Sequence, residues 1–164
     1  HNSGELDAVV FVGTGLFHPL GILMSTGMSV YALNPISGLR ILDTSQRERY
    51  IRKRFAAIER CLEARTYGVL ISSKPGQKRT TLAQALMETG RNHGKIIVPV
   101  IADEVQPAHI DALGLEALVN TACPRLAYDD YFRFKTPILS PWEFEVAVGA
   151  REFEPDAYEF DEIR

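Results

Sequence analysis

Apolar and polar positions alternate in short blocks along the chain. Residues 8–12 (AVVFV) form an apolar, β-branched run ended by Gly13, which predicts a buried strand. A glycine-rich turn, GTGLFHPLG, leads into a short helix expected near residues 20–26, and residues 29–33 (SVYAL) predict a second strand closed by Asn34-Pro35. Asp43, Thr44 and Ser45 offer helix caps. After them Ile51, Phe55, Ile58 and Leu62 recur at helical spacing, so a long helix is expected to reach about Arg65, with Gly68 just past its end. Residues 69–73 (VLISS) predict a third strand and 80–93 a helix with Leu82, Leu86 and Met87 inward. Residues 95–101 (KIIVPVI) predict a fourth strand, 107–113 a short helix and 117–120 a fifth strand. A last extended piece and a helix from about Pro141 close the pattern, and the tail after Gly149 is acidic and aperiodic, which reads as solvated or loosely docked.

Short buried strands alternating with helices predict an α/β domain, with a mostly parallel β-sheet flanked by helices on both faces. The length of 164 residues and the 46% apolar content allow a real core without disulfide staples. A net charge of -3 gives no electrostatic case for direct nucleic-acid binding. No apolar stretch approaches the roughly 20 residues of a membrane span. Two distant cysteines and a polar start without a signal-peptide core suggest reduced thiols in a cytoplasm. The start, HNSGELD, runs straight into a strand without an initiator methionine, as expected of a piece of something longer.

In an open parallel sheet, ligands bind at the carboxyl ends of the strands. Four turns follow strands, GTGLFH, SKPGQKR, ADEVQP and ACPR, and if the strands are parallel all four share one rim, which gathers Thr14, His18, Lys74, Gln77, Arg79, Asp103, Cys123 and Arg125. GTG with His18 is either an anion-facing turn or a tight strand-to-helix turn, and it lacks the G-x-G-x-x-G pattern. SSKPGQKRTT places a basic turn before a helix but fails the Walker A pattern, so it is either an anion site or a solvated turn. Cys61, on the amphipathic helix, reads as structural. Cys123 follows a strand and precedes Pro124 and Arg125; a nearby cation favours a thiolate, yet taken alone the residue reads as a core position rather than a ligand. With no C-x-x-C and only two thiols, the chain alone offers no zinc or cluster site.

VVFVGTGLFHPLG, SSKPGQKR and, above all, VNTACPRLAYDD followed by PILSPWEFEVAVG resemble the C-terminal part of the archaeal diphthamide synthase family, the 2-(3-amino-3-carboxypropyl)histidine synthases, over most of residues 8–149. The resemblance implies a protein of three similar α/β domains, each giving one cysteine to a shared 4Fe–4S cluster. It implies S-adenosylmethionine as substrate, cleaved to a 3-amino-3-carboxypropyl radical that is added to a histidine of translation elongation factor 2. It also implies a homodimer. On the ACPR match, Cys123 becomes the third-domain cluster ligand and Cys61 stays structural.

The two upstream cysteine motifs of the family are absent here. Residues 1–38 are therefore expected to be the end of the preceding domain, 39–149 the third domain and 150–164 an acidic tail, and the isolated chain is expected to be metal-free and inactive. Arg125, Arg79 or Lys74 is expected to hold the substrate carboxylate, Arg125 equally to tune the cluster electrostatically, and Gln77, Thr14 and His18 are candidates for polar contacts to the cofactor or the protein substrate. The rival readings are a nucleotide- or phosphate-binding module using the GTG and KPGQKR turns, with Cys123 structural, and a non-catalytic docking domain.

Overall fold

A computed structural model describes residues 7–74, 78–128, 130–154 and 158–161. The chain divides into two compact units, His1–Lys53 and Arg54–Arg164.

The first unit holds the strands β1 (Ala8–Val12), β2 (Ser29–Asn34) and β3 (Gly38–Leu42) and the helix α1 (Phe17–Thr26). β1 and β2 run parallel, as a strand–helix–strand crossover requires. β3 returns antiparallel to β2. The hydrophobic pattern gave no strand there, since Arg40 interrupts GLRIL. The reversal is set by Asn34, whose side-chain oxygen accepts the N–H groups of Ile36 (2.8 Å) and Ser37 (3.2 Å). Alternation along the strands sends Val30, Ala32 and Leu42 into a core with Leu23 of α1. The opposite face carries Val10, Tyr31 and Ile41 in one cross-strand row and Val12, Leu33 and Leu39 in the next, all exposed.

The helix α2 (Thr44–Glu59) starts where the Asp43 carboxylate accepts the N–H groups of Ser45 (2.9 Å) and Gln46 (3.1 Å). These bonds, with the Ser45 hydroxyl, hold the Asp43 carboxyl below the usual aspartate range. The helix ends earlier than its periodicity suggests, so Leu62 lies beyond it, 48% exposed.

The second unit is built on a four-stranded, all-parallel sheet in the order β5-β4-β6-β7. Its strands are β4 (Thr66–Ser72), β5 (Ile96–Ala102), β6 (Ala117–Asn120) and β7 (Ile138–Leu139). Its helices are α3 (Thr80–Asn92), α4 (Pro107–Ala112), α5 (Arg125–Tyr128) and α6 (Pro141–Ala147), with a 3-10 turn at Tyr131–Arg133. From β4 the chain crosses through α3 to β5 on one side, then back through α4 to β6 on the other. Right-handed crossovers therefore put α3 and α4 on opposite faces, the expected α/β layering.

Pro99 sits in β5, which lies at the sheet edge, where a missing N–H costs no ladder bond. Gly90 lets α3 approach the sheet: a Cβ there would stand 2.5 Å from Ile97 and 2.9 Å from Phe144. Gly68 is not a helix cap but a strand residue, where a Cβ would meet Leu115 at 2.6 Å. Tyr67 packs edge-on against Phe144 and donates its hydroxyl to the Cys61 carbonyl at 2.6 Å; burial pushes its phenol well above the usual range.

Beneath α6 lies a charged pair with both side chains fully buried. The Arg54 guanidinium donates to both Glu143 oxygens (2.7 and 2.6 Å) and to the Ile138 carbonyl (2.7 Å). Glu143 also accepts the Ser140 N–H and the Tyr158 hydroxyl, each at 2.7 Å. With Ser140 receiving the Glu143 N–H, this is a capping box. Of the two readings of the tail, solvated or loosely docked, the structure shows docking where the tail is described: Tyr158 is buried, Phe153 packs edge-on against Phe55, and Phe160 stacks on Tyr128. Aromatic burial outweighs the charge of its neighbours.

Candidate functional site

β4 sends the chain to one side of the second sheet and β6 sends it to the other. The crevice between their carboxyl ends is thus a topological switch point, the place where open parallel sheets bind ligands. Cys123 stands there, three residues past the end of β6.

The turn that carries it is held by side chains of its own. Thr121 donates both its N–H (3.2 Å) and its hydroxyl (2.6 Å) to the Leu70 carbonyl of β4, which extends the β4–β6 ladder past its last residue pair. Asn120, fully buried, accepts the Ala122 N–H at 3.1 Å and donates to the Cys123 carbonyl at 2.9 Å. Leu126 donates its N–H to that same carbonyl at 3.1 Å, which starts α5. Both lone pairs of the Cys123 carbonyl are used, while its side chain stays half-buried.

Cys123 lines a cavity of about 310 Å³ with Ser72, Lys74, Asp103, Glu104, Arg125 and Asp130 among its neighbours. Both signs of charge are present, a lining suited to a zwitterionic or mixed-charge ligand. The Ser73 hydroxyl bonds the Asp103 carboxylate and ties the turn after β4 to the turn after β5.

The structure gathers Lys74, Asp103, Cys123 and Arg125 around one cavity. Arg79 is elsewhere: its guanidinium grips the Asp161 carboxylate through two bonds of 2.7 and 2.8 Å. A ligand role for Arg79 requires Asp161 to leave. Gln77, with the centre of the KPGQKR turn, lies outside the described residues. The single rim expected for all four turns is corrected, because the GTG turn follows β1, a strand of a separate sheet. Thr14 is exposed in that turn, Gly15 takes a φ of 81° that favours glycine, and His18 on α1 lies against the rings of Phe11 and Phe17.

Sequence reasoning missed Asn120, although an Asn ending a strand is a turn signal. It also missed Arg54 and Glu143; the Ser140-x-x-Glu143 spacing is a capping-box signature. Cys61 is fully buried and its thiol is pushed up to about 11, chiefly by burial.

One thiol fits one position of a cluster and not the whole set. Among the described residues, no three His, Cys, Asp or Glu side chains converge to hold a metal. No helix among them is long and apolar enough to cross a membrane.

The family described as "Putative diphthamide synthesis protein" matches residues 1–159. The 2-(3-amino-3-carboxypropyl)histidine synthase of Pyrococcus horikoshii is 36% identical over 157 residues, covering 96% of this chain and 44% of that protein. Subunit 1 of the corresponding synthase of Gallus gallus is 31% identical over 152 residues, covering 92% of this chain and 37% of its own length. The crystal structure of Dph2 from Pyrococcus horikoshii with a 4Fe-4S cluster superposes with a TM-score of 0.83 at 34% identity, over 98% of this chain and 45% of that one. The chain thus spans less than half the length of these relatives. It belongs to the diphthamide synthesis protein family.

Proposed function

We propose that this chain is the C-terminal part of a 2-(3-amino-3-carboxypropyl)histidine synthase, and that Cys123 is one of three thiolate ligands of its 4Fe–4S cluster. The observation that supports it most is the placement of a half-buried thiol at the switch point of the sheet, on a turn whose carbonyl is locked by Asn120 and Leu126. A core cysteine needs no such cavity, and Cys61 shows what a core cysteine looks like in this fold. The remaining ligands come from outside this chain, in line with its coverage of less than half of each relative.

When bound, the cluster supplies the electron that breaks a sulfonium carbon–sulfur bond of S-adenosylmethionine. The transferred group carries an ammonium and a carboxylate. Arg125 and Lys74 at the cavity offer charge-assisted donors for the carboxylate, and Asp103, Glu104 or Asp130 an acceptor for the ammonium. Gln77 remains a proposed polar contact, whereas Thr14 and His18 belong to the unit of the other sheet and are not assigned to this cavity. The acceptor is a histidine of translation elongation factor 2, and the working enzyme is a homodimer of the full-length protein in the cytoplasm.

The full-length protein, given S-adenosylmethionine labelled in its aminocarboxypropyl carbons and elongation factor 2 under anaerobic reduction, is expected to transfer label to one histidine. Cys123→Ala is expected to abolish the transfer. Transfer at wild-type rate by that variant would overturn the reading.

A further inference from the structure

The docked tail takes no part in the proposed chemistry, yet it closes on the short helix that follows the thiol. α5 has four residues, too few to persist in water by its own hydrogen bonds. It starts two residues after Cys123, and its N-terminal bonds go to the carbonyls of Cys123 (from Leu126, 3.1 Å) and Pro124 (from Ala127, 3.0 Å). A shift of α5 is therefore passed directly to the thiol's own backbone. Something outside the turn has to hold its far end.

That end is Tyr128, 3% exposed. Phe160 stacks on its ring at 4.1 Å with planes 15° apart, and its hydroxyl accepts the Asp161 N–H at 2.6 Å. The Asp161 carboxylate is in turn fixed by both terminal nitrogens of Arg79, the residue that opens α3. The pair is only 20% and 10% exposed, so it is shielded from solvent far more than an ordinary surface ion pair. Two residues before Phe160, Tyr158 is anchored on Glu143 of α6. One short stretch of tail thus joins the start of α3, the body of α6 and the end of α5.

We propose that residues 158–161 are a strap that fixes the position of the Cys123 thiol, with Phe160 and Asp161 as positioning residues acting through Tyr128. This deepens the reading of Cys123 as a cluster ligand and rests on it. A ligand must be held within about 0.5 Å of its working position by residues that are themselves locked. Asn120 does this from the strand side, and the strap does it from the helix side.

The test uses the full-length protein kept free of iron, with Cys61 and Cys123 alkylated by iodoacetamide in the native state and followed by mass spectrometry. Cys61, fully buried, serves as the internal control for opening of the whole unit. Phe160→Ala is expected to raise the Cys123-to-Cys61 rate ratio by about five-fold or more, and Asp161→Asn by about two-fold, through local opening. Phe160→Tyr, which keeps the stack, is expected to restore the original ratio. A ratio unchanged in both disruptive variants, whether the two rates stay put or rise together, would show that the tail supports the fold as a whole and would overturn the proposal. If Phe160→Ala does not fold, Asp161→Asn alone decides. The ratio involves no iron, so it separates failure of the strap from failure of the ligand assignment.

Discussion

Cys61 follows the long helix α2 and Cys123 follows the buried strand β6, both within the second unit. Around Cys61 the chain is closed: the residue is fully buried, its carbonyl receives the Tyr67 hydroxyl, and burial keeps its thiol protonated. Around Cys123 the chain opens into a cavity bordered by cations and carboxylates, and the restraint falls on the backbone. The difference shows that residue type does not decide the role of a thiol. One site is built to exclude solvent from sulfur, the other to hold sulfur still at a solvent-facing rim.

The severest way to break this contrast is to dissolve the frame behind it. Glu143→Ala leaves the Arg54 guanidinium buried beside the Ser140 N–H and Tyr158 hydroxyl with their shared acceptor gone. The expected loss is about 3–5 kcal/mol in urea unfolding, because an uncompensated buried charge remains. In that variant the two thiols should approach equal reactivity.

Thiol labelling of the native protein tests the contrast itself. Cys123 is expected to react at least about a hundred-fold faster than Cys61, whose access requires opening of the unit. Comparable rates would contradict the assignment of surroundings.

The alkaline limb of stability sharpens it further. The fold holds the Cys61 thiol near 11 and so favours its neutral form. That contribution is complete below the thiol's unfolded value of about 8.5–9 and is lost as pH rises through about 11, at most about 2–3 kcal/mol in all. Burial also raises the phenols of Tyr67 and Tyr128, so the measurement is the difference between wild type and Cys61→Ala across pH 8 to 11. An identical pH dependence in both proteins would remove the burial argument.

Serine replacements give the smallest effects. Cys61→Ser is expected to cost about 1–2 kcal/mol, since a hydroxyl is buried where a thiol was, while Cys123→Ser is expected to stay within about 0.5 kcal/mol. Matched thermal melts of the two variants decide it.

The position of Cys123 was legible in the sequence pattern, but the pattern alone favoured a core role for it. The run Ala117–Asn120 is apolar and short, so a buried strand delivering Cys123 to the rim follows from pattern alone. Parallel topology then puts that residue at a ligand-binding edge. The strand β3 escaped because it pairs antiparallel through a turn set by the Asn34 side chain, and its Arg40 breaks the apolar run. Arg54 was hidden in a run of basic residues, where only tertiary packing against Glu143 singles out one charge for burial. The sequence left the tail between solvated and loosely docked because its acidic residues outnumber Phe153, Tyr158 and Phe160, whereas those aromatics determine its docking. Arg79 looked like an anion ligand and is one, but in this chain the anion is Asp161.

The most direct test of the central claim compares the two thiols as ligands. The full-length protein would be loaded with iron and sulfide without oxygen, as wild type, Cys61→Ala and Cys123→Ala, and assayed for iron content and 4Fe–4S absorbance. Cys61→Ala is expected to match wild type at about four irons per chain, and Cys123→Ala to lose most of the cluster. An undiminished 4Fe–4S spectrum in Cys123→Ala would contradict the account.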